Sequence, residues 1–166
     1  MVAGDMRLLH EWIQRPHAIR WYGGDHHRSY DDIVNHYSPA LEGREPTDHY
    51  MIVVDGAPAG MIQTYVVADY PAYAKLIGVE DSATAGVDII IGEEDLTGQG
   101  LGTEVLRRFV DEIVFARPET TSCIADPDLD NIASVRAFEK AGFRSVKTFV
   151  EDPGDGRLHV LVRRDR

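Results

Sequence analysis

The chain has 166 residues, 28 acidic against 17 basic side chains and a formal net charge of −11, with 43% hydrophobic residues. That length fits a single domain, expected to span residues 1–166, with a core large enough to need no cross-links, and the composition excludes a disordered chain. The sign of the charge speaks against a phosphate-tracking nucleic-acid module and against docking on anionic lipid, and it suits a cationic small molecule; acidity for solubility alone is the competing reading.

In chain order, Leu8, Leu9, Trp12 and Ile13 recur at helical spacing behind Asp5, a candidate N-cap. Trp21-Tyr22-Gly23-Gly24 breaks the pattern, and a second helix is expected from Ser29, spaced from Asp32 as in a capping box, to about Leu41. Residues 49–55 and 59–68 read as two arms of a β-hairpin around Asp55-Gly56-Ala57-Pro58, followed by a loop-like stretch over 69–84 with weak helical character. A strand is expected at 86–91, a helix at 100–115, a strand ending at Asp126, and a helix at 131–141 stopped by Gly142. Two strands, 143–151 and 158–163, close the chain around Pro153-Gly154-Asp155-Gly156. Helices first, then strands, then both in alternation make an α+β, or mixed α/β, fold.

One cysteine, Cys123, permits no internal disulfide and reads as a buried, inert thiol. The first residues lack the charged and apolar regions of a signal peptide, and no apolar run reaches the length of a membrane span, so the expected location is the cytoplasm. The histidines show no metal-ligand spacing: His26-His27 is loop-like and His10 and His17 are seven apart, so no metal is expected.

The chemistry-bearing stretch is the 87–91 strand, the acidic run Glu93-Glu94-Asp95, and then Gly98-Gln99-Gly100-Leu101-Gly102-Thr103 opening a helix. Glycines at alternate positions let the backbone turn without Cβ clashes, and the first helical N–H groups with the positive end of the helix dipole suit a pyrophosphate. Thr103 excludes the dinucleotide-binding G-x-G-x-x-G, and no Gly-Lys-Ser/Thr follows. A purely structural glycine turn remains open at this point.

A second segment completes the pattern: Asp126-Pro127 and Asn131 lead into Ala137-Phe138-Glu139-Lys140-Ala141-Gly142-Phe143. With the glycine loop, it resembles the GNAT acetyltransferase superfamily. Leu9-His10-Glu11-Trp12-Ile13-Gln14-Arg15-Pro16-His17, then Trp21-Tyr22-Gly23-Gly24, and Gly86-Val87-Asp88 resemble in particular the aminoglycoside 6'-N-acetyltransferases, over roughly residues 5–145. The siderophore-type lysine N-acyltransferases share much of this layout but typically carry His where this chain has Asp88. The resemblance implies a central, mostly antiparallel twisted sheet flanked by helices. The strand that usually precedes the first helix has no room here, so the sheet is one strand short or the chain begins late.

The resemblance also implies acetyl-CoA as co-substrate, held by Ile90, Ile91, Gly98, Gln99, Gly100, Leu101, Gly102 and Thr103 at the loop, with Asn131 on the pantetheine side. It implies direct transfer to a primary amine of a cationic small molecule, the 6'-amine of an aminoglycoside foremost. Rival readings are acyl transfer to a siderophore lysine derivative, a polyamine or a protein amine, or a non-catalytic CoA-binding sensor. A monomer and a homodimer both fit. Deprotonating a lysine-like amine at pH 7 costs about 4–5 kcal/mol, and a nearby carboxylate can take the proton. Asp88 is the first candidate for the base and Asp126 the second, and with Asp88 as base, Asp126 and Asp69 are expected acceptor ligands. Trp21, Tyr22 and Tyr37 are an expected aromatic wall for a sugar-like cation, with core packing as the alternative. Two departures from the superfamily stand out: Thr97 lies where many members carry Gln or Arg, and Phe138 where many carry a proton-donating Tyr. The charge is also segregated. Residues 42–104 hold 12 acidic and 2 basic side chains, whereas 105–166 hold 11 of each, which predicts an acidic acceptor site beside a balanced cofactor site.

Overall fold

The computed structural model describes residues 1–22, 29–152, 154 and 156–166. The expected breaks at Gly23-Gly24, the His26-His27 loop, and Pro153 and Asp155 of the last turn lie outside the described residues. The helices are α1 (Met6–Ile13), α2 (Pro16–Tyr22), α3 (Tyr30–Leu41), α4 (Pro71–Ile77), α5 (Leu101–Phe109) and α6 (Ile132–Lys140). The strands are β1 (Thr47–Val54), β2 (Ala57–Val66), β3 (Thr84–Ile91), β4 (Ser122–Ala125), β5 (Arg144–Val150) and β6 (Leu158–Asp165), in the sheet order β1-β2-β3-β4-β6-β5. The mixed α/β class is as expected, and β1, after three helices, is the first strand of the sheet. No helix among the described residues is long and apolar enough to cross a membrane.

The sheet is mostly antiparallel. β1 and β2 are joined by the tight turn Asp55-Gly56, with φ of 50° and 81°. Along β2 and β3, Gln63 meets Asp88, and Thr64 bonds the Gly86 carbonyl, so one number rises as the other falls. β4 pairs antiparallel with β6, and β6 with β5. The exception is β3 with β4, which run parallel and need the crossover through α5 between them.

Two compact units form, Met1–Gln63 with Asp88–Gln99, and Thr64–Val87 with Gly100–Arg166. In the first, Met6, Leu9, Trp12 and Ile13 of α1 pack with Ile33 and Tyr37 of α3 on Met61 and Ile90 of the strands. In the second, Ala74 and Ile77 of α4 bury against Val67, Ile124 and Leu161. Each full burial of such a side chain contributes about 2 kcal/mol.

Several local expectations need correction. Asp5 stands at the N-cap position of α1, as expected, but its carboxylate makes no capping bond to the helix; it accepts the Val2 N–H, tightening the turn ahead of the helix. Trp21 and Tyr22 continue α2 rather than break the helical pattern, because Pro16 starts a new helix three residues after α1 ends. The second hairpin arm begins at Ala57, since the turn needs only two residues. The 69–84 stretch contains a true helix, α4, with Pro71 in its first turn and Gly78 closing it at φ 68°. The long helix is α5 only to Phe109; Val110–Val114 then widens to a π turn closed by the Phe115 N–H on the Val110 carbonyl at 2.8 Å. The Ser29–Asp32 capping box is present in full, and Gly142 stops α6 at φ 95°.

Candidate active site

Asp88 lies on β3, half-buried. The Gln63 amide on β2 donates to its Oδ2 at 2.8 Å. Tyr37 on α3 is 1% exposed, and its phenol is pushed far up, first by burial and then by the Asp88 charge. Tyr22 at the end of α2 packs on the same core, and its phenol is raised well above the usual range by burial, then by Tyr37 and Asp88. Both rings are therefore neutral donors near a carboxylate and never bases at ordinary pH. The structure brings Tyr22, Tyr37 and Asp88 into one electrostatic neighbourhood. Trp21 is half-buried with the Arg20 guanidinium 4.4 Å over its ring.

The chain leaving β3 is anchored by a network that the sequence did not disclose. Glu93 accepts the Trp12 indole N–H at 2.8 Å and the Arg15 guanidinium at 2.6 Å, and Arg15 also donates to the Gly92 carbonyl at 2.8 Å. His17 bonds the Ile91 carbonyl at 3.1 Å. Arg15, and then Trp12, hold the Glu93 carboxyl below its ordinary value. Gly92 is required: a Cβ there would sit 2.1 Å from the Trp12 ring.

The glycine loop follows. Gly98 and Gly100 have φ of 69° and 88°, where side chains are disfavoured, and a Cβ at either meets nothing within 4 Å. Gln99 is exposed, its amide donating to the Asp95 carbonyl. The first intrahelical bond of α5 runs from Glu104 N–H to the Gly100 carbonyl, so the N–H groups of Leu101, Gly102 and Thr103 precede it. Ile90 is buried in the core and Ile91 half-buried.

Asp126 follows β4 directly. Pro127 and Leu129 pair with β6 through the Val160 N–H and the Leu158 carbonyl, which fixes the backbone. The Tyr73 hydroxyl on α4 donates to Asp126 Oδ1 at 2.9 Å, and His159 Nδ1 lies 2.8 Å from the Asp126 carbonyl. His159 is also 3.7 Å from both the Asp126 and the Glu151 carboxylates. Asp126, Glu151 and His159 offer ligand atoms within 4.8 Å of one another, a grouping absent from the spacing reading because it joins a loop to a sheet edge. Asp69 is exposed at the end of a short turn. Asn131 caps α6, its Oδ1 accepting the Ser134 N–H at 3.1 Å. Phe138 is 3% exposed and packs edge-on to Phe143, a core residue with no proton to give. Cys123 is fully buried, its thiol 4.0 Å from the Ile124 carbonyl.

This strand–glycine loop–helix, with an acidic strand residue before it, matches a known family. The profile of the family described as "Acetyltransferase (GNAT) domain" matches residues 2–150. The chain belongs to the GNAT acetyltransferases. It is 30% identical over 164 residues to an aminoglycoside N(6')-acetyltransferase type 1 from Klebsiella pneumoniae, covering 98% of this chain and 81% of the relative. It is 34% identical over 83 residues to a kanamycin resistance protein from Rhizobium radiobacter, covering 50% of this chain and 76% of that one. The crystal structure of aminoglycoside acetyltransferase AAC(6')-Ib with coenzyme A and kanamycin superposes with a TM-score of 0.85 at 29% identity, covering 100% of this chain and 92% of the other.

As a GNAT protein it is an N-acetyltransferase, with acetyl-CoA as co-substrate. The loop fits that molecule: glycines whose Cβ positions open onto space, followed by helical N–H groups, make an anion cradle.

Proposed function

We propose that this GNAT enzyme acetylates the 6'-amine of an aminoglycoside, working as one catalytic domain in the cytoplasm. The observation that carries the reading is Asp88, held by Gln63 on the strand that runs into the glycine loop. It is supported by near-full-length similarity to an aminoglycoside N(6')-acetyltransferase. Bound acetyl-CoA supplies a thioester already activated for attack. In this reading the N–H groups of Leu101, Gly102 and Thr103 would hold its phosphates, with Gly98, Gln99 and Gly100 shaping the loop, and Ile90, Ile91 and Asn131 are the residues that would serve its pantetheine arm.

Asp88 accepts the proton that the acceptor ammonium must lose. Tyr22 and Tyr37 stay protonated and cannot compete for it. Trp21 and Tyr22 offer ring faces to a sugar-like cation. Asp126, braced by Tyr73, holds a second ammonium and raises affinity without touching the transferred proton. Exposed Asp69 offers a further, weaker charge. The thiolate released on transfer takes its proton from solvent, since ordinary thiols have a pKa of about 8.5; Phe138 therefore needs no replacement.

Purified protein incubated with acetyl-CoA and a panel of aminoglycosides, polyamines, lysine derivatives and peptides tests the reading through thiol release. Turnover is expected with aminoglycosides that bear a 6'-amine, and loss of turnover with 6'-hydroxyl counterparts. Turnover confined to another amine class would overturn it.

A further inference from the structure

The last carbonyl of β3 bonds a helix side chain. Along an antiparallel ladder the N–H and C=O of one residue face the same edge of the strand, and those of the next residue face the other. Gly92 N–H bonds the Ala59 carbonyl of β2 at 2.8 Å, so Ile91 turns its own N–H and C=O away from β2. Glu93 N–H reaches the same Ala59 carbonyl at 3.3 Å, which sets two residues against one as in a β-bulge. His17 of α2 meets the Ile91 carbonyl, with Nε2 at 3.1 Å. A carbonyl only accepts, so Nε2 carries the ring hydrogen. Nδ1 bears the lone pair and is buried without a hydrogen-bond partner among the described residues. The peptide between Ile91 and Gly92 is thus held at both ends, its N–H on β2 and its C=O on α2.

The side chains that reach this exit divide it between them. Trp12 and Arg15 take the Glu93 carboxylate, and Arg15 also takes the Gly92 carbonyl. His17 takes Ile91, a residue of the proposed pantetheine site. We propose that His17 is a positioning residue for acetyl-CoA: its Nε2–H on the Ile91 carbonyl holds the end of β3 so that the Ile91 N–H meets a carbonyl of the bound thiol arm. The proposal rests on the reading that sets the thiol arm at Ile91. Without the His17 donor, one end of the 91–92 peptide is loose, the end of β3 shifts, and the N–H leaves the ligand. The phosphate end, held at the glycine loop in the same reading, is unaffected.

The test is calorimetric titration of the full chain, without acceptor, with two probes. One is acetyl-CoA; the other is 3'-phosphoadenosine 5'-diphosphate, which has the pyrophosphate and lacks the thiol arm. His17→Leu is expected to weaken acetyl-CoA about fivefold, the scale of one hydrogen bond, and to leave the nucleotide within twofold of wild type. His17→Gln carries an amide nitrogen to about the reach of Nε2 and is expected to recover most of the loss. His17→Asn carries the same amide one methylene short and is expected to bind acetyl-CoA as weakly as His17→Leu. In steady state the loss is expected in the KM for acetyl-CoA, with the acceptor KM within twofold. A His17→Leu protein that binds both probes as the wild type does overturns the proposal and leaves the Ile91 reading standing. So does equal weakening of both probes, the mark of a merely structural histidine. If His17→Leu does not fold, equal acetyl-CoA affinity in His17→Asn and His17→Gln overturns it. Wild-type protein that binds the nucleotide as tightly as acetyl-CoA draws nothing from the thiol arm, and that result overturns the proposal and the Ile91 reading together.

Discussion

Gln63 donates its side-chain amide to the Asp88 carboxylate from the neighbouring strand, at 2.8 Å. The bond orients the carboxylate that we propose as the base. Asp88→Asn keeps an oxygen for Gln63 and changes the side chain's volume hardly at all, so the fold is expected to stand. The proposed base is lost, and kcat is expected to fall roughly 10²- to 10⁴-fold. Steady-state kinetics with acetyl-CoA saturating, beside a thermal melt unchanged from wild type, checks this.

Glu93 gives a pH signature of stability. Its carboxyl is held below the ordinary value by Arg15 and then Trp12, so the folded protein binds that proton less readily than the unfolded chain. The stabilisation is present above the ordinary carboxylate value and is lost as pH falls through the lower folded one. Glu93→Gln is expected to cost about 1–2 kcal/mol at pH 7, the scale of a charge-assisted hydrogen bond at a partly exposed site. The gap between the two proteins should close as urea unfolding is repeated at falling pH below about 4.5.

How much of this was legible in the sequence depended on how local each signal was. The α3 capping box and the Gly142 stop are carried by residues within a single turn, and both were readable. α4 has seven residues, too few for a periodicity, and only Pro71 and Gly78 at its ends announce it. The π turn after Phe109 keeps the same apolar face as an α-helix, so spacing does not separate i+4 from i+5 bonding. Asp88 could be found because it precedes the glycine loop. Its holder Gln63 is 25 residues away, and the Trp12–Glu93 bond spans 81. Such pairs exist only once the sheet has formed. Tyr73 and His159 at Asp126 escaped for the same reason.

Two glycines separate folding from cofactor binding. At Gly92 an added Cβ falls 2.1 Å from the fully buried Trp12 ring, and the packed core has no room to yield. Gly92→Ala is expected to destabilise by about 3 kcal/mol, read in urea unfolding. At Gly100 the added methyl meets open space, and the left-handed φ of 88° costs only about 1 kcal/mol. The methyl instead projects into the loop that we propose holds the phosphates. Gly100→Ala is expected to raise the KM for acetyl-CoA about tenfold, with the acceptor KM little changed.

Tyr73→Phe isolates the second carboxylate. The ring keeps its edge-on contact with Tyr65, at 6.3 Å between centroids, so α4 should remain in place. Only the hydroxyl that donates to Asp126 Oδ1 at 2.9 Å is removed. His159 still holds the Asp126 backbone carbonyl, so the residue stays near its position while its carboxylate is less well aimed. If Asp126 binds an ammonium of the acceptor and takes no part in proton transfer, the loss appears in acceptor affinity alone. The expected cost is about 1 kcal/mol, or a roughly fivefold rise in acceptor KM. Both kcat and the KM for acetyl-CoA should stay within twofold. A fall in kcat with the acceptor KM unchanged would instead place Asp126 in the chemical step. Calorimetric titration of the acceptor into the protein gives the same comparison without turnover.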